Sequence, residues 1–147
     1  LRVAGNPDPR DGYAAKFSIP YCVAAALARG RITQAEFEPA VLEDPRVRGL
    51  MRRVALVVDP EFDRIARTIR PARVEIRLDD GREIDAISET RRGDPEQPLT
   101  AGELSAKFRD LAALAWGGTA AARVDDEIAA LPDCGSVLAW AARALSA

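Results

Sequence analysis

Apolar residues recur along this chain at helical spacing, interrupted once by a short stretch of alternation. The first apolar block runs from Phe17 to Leu27, with small residues at Cys22, Ala24, Ala25 and Ala26 that permit close helix packing. Ser18 has the hydroxyl of a helix N-cap, and Pro20 falls in the first turn, where its missing N–H costs nothing. The helix should run to about Arg29 and stop at Gly30. Thr33-Gln34-Ala35-Glu36 matches a capping box and starts a short helix ending near Pro39; Asp44-Pro45 starts another, through about Arg52. Residues 1–16, rich in Gly, Pro and Asp, read as an extended linker.

The period then changes. Val54, Leu56, Val57 and Val58 predict a strand over Arg53–Asp59. Pro60–Pro71 is ambiguous, with Ile65 and Ile69 spaced for a helical turn. Val74, Ile76 and Leu78 alternate as a strand, and a return strand covers Glu83–Thr90. A loop of Asp79-Asp80-Gly81 would pair Arg77 with Glu83, Ile76 with Ile84 and Val74 with Ala86. A two-residue Asp80-Gly81 loop would set Arg77 against Ile84. The first register matches charge with charge and apolar with apolar, and is preferred, with Gly81 in the left-handed position.

After a Pro-containing loop over Arg91–Leu99, Thr100 and Glu103 form a second capping box. The helix behind it carries Leu104, Phe108, Leu111 and Ala115 on one face and ends at Gly117-Gly118. Thr119 is expected to cap a further helix with Val124, Ile128 and Leu131 as its stripe, and Ser136 to start a last one through Leu145. Helices, a small mainly antiparallel sheet (a strand plus a β-hairpin), then helices: the order describes an α+β fold in one domain over residues 1–147.

At 48% hydrophobic and 30% charged, the composition is that of a globular chain long enough for a core. A net charge of -2 and few aromatics argue against a nucleic-acid partner, and no apolar run suits a membrane span. Cys22 and Cys134 make neither a disulfide framework nor a metal site, which suits a reducing cytoplasm. The chain contains no histidine, so imidazole acid–base chemistry and His-ligated metal are excluded within it.

Tyr21 is the leading candidate for chemistry. It lies in the first turn of a helix, where free N–H groups and the positive end of the helix dipole suit a carboxylate, and a phenol can donate a hydrogen bond or a proton there. The competing assignment is a core tyrosine with a satisfied hydroxyl. Ser18 is an N-cap that could also touch substrate; Lys16, on the preceding linker, is a cation able to meet an anionic ligand, or else a solvated surface lysine. Lys107 beside Phe108 reads as structural. The acidic pairs at Asp79-Asp80 and Asp125-Asp126 fall in a turn and on a polar helix face, and Gly117-Gly118 lacks the strand that a phosphate loop requires.

The segment Lys16-Phe17-Ser18-Ile19-Pro20-Tyr21-Cys22-Val23-Ala24-Ala25-Ala26-Leu27, with Gly30 behind it, resembles the carboxy-terminal domain of the MmgE/PrpD family. Asp44-Pro45, Asp80-Gly81, Pro98-Leu99-Thr100 and Lys107-Phe108 follow in the family's order, so the resemblance runs from about Asn6 to Leu138. It implies a 2-methylcitrate dehydratase, cis-aconitate decarboxylase or iminodisuccinate epimerase type of enzyme. The resemblance implies an enzyme that acts on a small di- or tricarboxylate by proton transfer next to a carboxylate, with no metal or cofactor, as a homodimer. It further implies that Tyr21 faces the active-site cleft and that a larger amino-terminal helical domain, expected to be missing here because the chain starts at Leu1, supplies most acid–base groups. The lead-in Ala15–Pro20 differs from that of the methylcitrate branch, although a dehydratase remains the first expectation. A non-catalytic domain for assembly or for binding a small anion is the alternative.

Overall fold

The computed structural model describes residues 4–65 and 71–144. Among these, eight α-helices, two 3-10 turns and one two-stranded antiparallel sheet form an α+β fold that is mostly helix. The chain divides into two compact units, residues 1–58 and 59–147.

The first unit is helical. It contains α1 (Gly12–Lys16), α2 (Ile19–Arg29), a 3-10 turn (Gln34–Phe37), α3 (Pro39–Leu42) and α4 (Pro45–Met51). The capping residues set these boundaries. Ser18 Oγ accepts the Tyr21 amide at 3.2 Å, and Gly30 closes α2 in the left-handed conformation at φ 74°. Thr33 and Glu36 complete a reciprocal capping box on the 3-10 turn. The core joins Ala15 of α1, Tyr21, Ala24 and Ala25 of α2, Val41 and Leu42 of α3, and Val47 and Met51 of α4. Alanines at the contact face let α2 and α4 approach closely.

Two expectations fail in this unit. Residues 12–16 are not linker but α1, capped by Asp11, whose Oδ1 accepts the Ala14 amide at 2.7 Å. The strand expected over Arg53–Asp59 does not form; that segment is irregular up to Pro60, and Val57 is 85% exposed. A strand needs a ladder of backbone partners, and no neighbouring strand is paired to it among the described residues. The fold class survives, but the sheet is the hairpin alone.

The second unit holds α5 (Pro60–Ile65), β1 (Ala72–Arg77), β2 (Glu83–Ser88), α6 (Ala101–Trp116), α7 (Gly118–Ala129), a 3-10 turn (Leu131–Asp133) and α8 (Val137–Ala144). Ile69 and Leu145, named above, lie outside the described residues. The hairpin adopts the charge-matched register, with Arg77 opposite Glu83, Ile76 opposite Ile84 and Val74 opposite Ala86. Gly81 takes φ 84° at its turn. Arg77 reaches Glu83 at 2.8 Å across one face, and the other face carries Val74, Ile76, Ile84 and Ala86.

Helices α6 and α7 pack together, with Ala121 and Val124 of α7 buried and a polar cluster bonding the two helices. Asp125 accepts from Ser105 Oγ and, at 2.6 Å, from Arg109 Nε, whose other arm reaches Asp126 at 2.8 Å. Leu104 and Leu111 of the expected stripe, and Leu114, are about half exposed or more. Thr119 lies inside α7, which begins at Gly118 without a side-chain cap.

Two carboxylates tie stability to pH. The Ser105 hydroxyl and then the Arg109 guanidinium hold Asp125 below the ordinary aspartate value. Burial pushes the Glu36 carboxyl up, but bonds from the Thr33 hydroxyl and amide, with the Arg31 charge, outweigh it and bring the net value down. A depressed carboxyl binds its proton more weakly folded than unfolded. It therefore stabilises the fold above its unfolded pKa of about 4, and the contribution is lost as pH falls through the lower folded value. The melting temperature should hold steady from neutral pH to about pH 5 and fall below about pH 4. In Glu36→Gln and Asp125→Asn variants that acid-side fall should be shallower; thermal melts across pH check this.

Candidate active site

The three candidate residues occupy different positions around the start of α2. Lys16 ends α1 and is exposed; its ammonium stands 5.7 Å from the centre of the Phe37 ring. Phe37 in turn packs on Tyr21, with ring centres 6.0 Å apart. Lys16, Phe37 and Tyr21 thus form a stack leading from the surface to the core. Lys16 belongs to α1, not to a linker.

Tyr21 itself is fully buried within the first unit, and its hydroxyl donates to the Glu36 backbone carbonyl at 2.5 Å. Burial raises the phenol above its ordinary pKa; the nearby Arg48 charge opposes that, Cys22 and Glu36 add to it, and Arg29 opposes it weakly. The group is therefore a neutral donor at physiological pH, held toward one acceptor.

Ser18 is equally buried. Its Oγ donates to the Asn6 carbonyl at 2.5 Å while accepting the Tyr21 amide. It sits in an isolated bridge with Gly5. The neighbouring Ile19 amide donates to the Ala4 carbonyl at 2.9 Å, and the Cys22 amide to the Ser18 carbonyl. Pro20 has no N–H. The amides at the head of α2 are accordingly engaged: Ile19 by residues 4–9, which lie across it as a strap, and Tyr21 and Cys22 by Ser18 itself. A local reading of Ser18-Ile19-Pro20 could not show the strap, since the acceptors of the Ser18 hydroxyl and the Ile19 amide lie 12 or more residues upstream.

Cys22 is half buried, its thiol directed at the Ala15 carbonyl at 3.6 Å and raised in pKa by burial. It is a packing thiol, not a reactive thiolate. Two contributors carried no sequence signal. Arg48 binds three acceptors in and around the strap, and Phe37 joins Lys16 to Tyr21. Among the described residues, the rim of this region offers open groups: Lys16, with Tyr13 at 75% exposure and Phe17 beside it, their rings 5.2 Å apart. Among the described residues no cluster of His, Cys, Asp and Glu could hold a metal, and no helix is long and apolar enough to cross a membrane.

The geometry therefore gives a cation over an aromatic ring, backed by a buried phenol. Over 109 residues, 74% of this chain, the sequence is 29% identical to the cis-aconitate decarboxylase of Mus musculus. The match spans 22% of that protein's length. The pattern described by the MmgE/PrpD C-terminal domain matches residues 1–132, from the strap through Tyr21 and the hairpin to the end of α7, and the chain belongs to the MmgE/PrpD family.

Proposed function

We propose that this chain is the carboxy-terminal part of a lyase that acts on a small di- or tricarboxylate, by dehydration or decarboxylation. The reading is supported most by the similarity to a decarboxylase, beside a family match over residues 1–132 that takes in Lys16 and Tyr21. Lys16 pairs with a substrate carboxylate at the rim. The Tyr21 phenol gives a proton to the carbon or oxygen next to that carboxylate, exchanging its bond to the Glu36 carbonyl for one to substrate. Ser18 holds the first turn of α2 and sets the direction of the Tyr21 side chain. A base on the opposite face comes from a histidine-bearing helical domain, and the working form is a cytoplasmic homodimer.

The enclosed hydroxyl of Tyr21 favours a second reading, in which this domain serves assembly and Tyr21 is a core residue. Turnover of cis-aconitate and of 2-methylcitrate by the full-length protein separates the two. Under the lyase reading, Tyr21→Phe lowers kcat by about 10²–10⁴, the usual contribution of a positioned acid. Lys16→Ala raises KM with a smaller effect on kcat. Unchanged turnover in Tyr21→Phe would remove the phenol from the mechanism and leave the assembly reading.

A further inference from the structure

Residues 4–9 are fastened at two places. At one end Ala4 and Asn6 accept from Ile19 and Ser18. At the other end Arg48 of α4 donates from Nη1 to Asp8 at 2.8 Å and from Nη2 to the Pro9 carbonyl at 3.0 Å. Arg48 Nε is bound as well, to the Leu42 carbonyl at the end of α3, at 2.6 Å. All three guanidinium nitrogens are thus engaged with three separate partners, and the side chain is only 19% exposed. Helix α4 packs directly on α2. Arg48 therefore joins the strap, the end of α3 and the α2–α4 contact in one side chain.

We infer that Arg48 is the positioning residue of the Tyr21 site: its guanidinium locks the strap and the end of α3 onto α4 and so fixes the first turn of α2 and the phenol that it carries. The inference matters for turnover only if the lyase reading holds, but its geometry does not depend on that reading. A planar fork can serve three acceptors in fixed directions, whereas an ammonium serves them only as a point charge. The same positive charge is the main opposition to the burial that raises the Tyr21 phenol; Arg29 adds to it, and Cys22 and Glu36 act the other way. Position and charge are separable, because Arg48→Lys keeps the charge and loses the fork, while Arg48→Gln loses both.

Two measurements on the 147-residue chain test this. Amide exchange of Ile19, followed by NMR at neutral pH, reports the strap. It should speed up at least tenfold in Arg48→Gln and in Arg48→Lys, and by a smaller factor in Asp8→Asn, which removes only the ion pair. The chain has two tyrosines, so in a Tyr13→Phe background the ultraviolet absorbance of tyrosinate reports Tyr21 alone. Its midpoint should rise in Arg48→Gln and stay close to the parent in Arg48→Lys. A merely structural arginine would lower the melting temperature without separating these two variants. Ile19 exchange as slow as the parent's in both Arg48→Gln and Asp8→Asn overturns the inference. If Arg48→Gln does not fold, Asp8→Asn and Arg48→Lys decide through Ile19 exchange alone. Retained turnover in Tyr21→Phe would sink the lyase reading while leaving both results in place.

Discussion

Gly12→Ala should destabilise the first unit by about 1–3 kcal/mol, toward the upper end of what overpacking costs. Helix propensity alone predicts the opposite sign, since alanine gains up to about 1 kcal/mol over glycine within a helix. The clash outweighs it. A Cβ at residue 12 would fall well inside contact distance of the Phe37 backbone carbonyl oxygen, and the Phe37 carbon and Cβ crowd the same space. The obstacle is main chain, which cannot rotate away as a long side chain would. Phe37 ends the 3-10 turn and contacts both Tyr21 and Lys16, so any retreat moves the candidate site too. For a unit of this size the loss lowers the melting temperature by about 4–8 °C per kcal/mol, readable by circular dichroism. A drop of less than about 2 °C would mean that the 3-10 turn gives way at little cost.

Tyr21→Ala should cost about 3–5 kcal/mol, the range for truncating a buried aromatic side chain. The ring fills the space between α2 and the 3-10 turn and lies against Phe37. Tyr21→Phe keeps that ring and removes only the bond to the Glu36 carbonyl. It should cost about 1 kcal/mol, or somewhat more if the abandoned carbonyl finds no other donor. Urea unfolding curves give both numbers. The pair also decides how a fall in turnover is to be interpreted. A large kinetic loss in Tyr21→Phe with a stability loss near 1 kcal/mol assigns chemistry to the hydroxyl. Losses that scale together assign it to folding. Equal stability of the parent and Tyr21→Phe would show that the hydroxyl contributes nothing net to the core.

What could be read in the sequence was local. Ser18 and Gly30 bound α2 through groups within a turn of the helix, and Thr33–Glu36 and Thr100–Glu103 cap across three residues. The hairpin register followed from matching residues on either side of one turn. The misses were all questions of partners. Val54–Val58 has the composition of a strand, but composition cannot supply a neighbouring ladder. Leu104 and Leu111 have helical spacing, yet both stay about half exposed while Ser105, Arg109 and Asp125 bond across α6 and α7. Gly12 looked like linker because nothing near it in sequence reveals Phe37 at its back. At the candidate site, Tyr21, Ser18 and Lys16 were found by position and motif. That the strap takes the Ile19 amide and the Ser18 hydroxyl, and that Arg48 holds the strap, rests on acceptors 12 to 40 residues away.

The strap also sets the order in which the first unit comes apart. The bond from Tyr21 to Glu36 closes 15 residues of chain, whereas that from Arg48 to Asp8 closes 40. By the (3/2)RT ln n rule the longer closure costs about 0.9 kcal/mol more in chain entropy, and it is made by a half-exposed carboxylate rather than by the core. Breathing of the native state therefore begins at the strap. Each such excursion frees the Asp8 carboxylate and the Pro9 carbonyl from Arg48 while the alanine-lined seam between α2 and α4 stays shut.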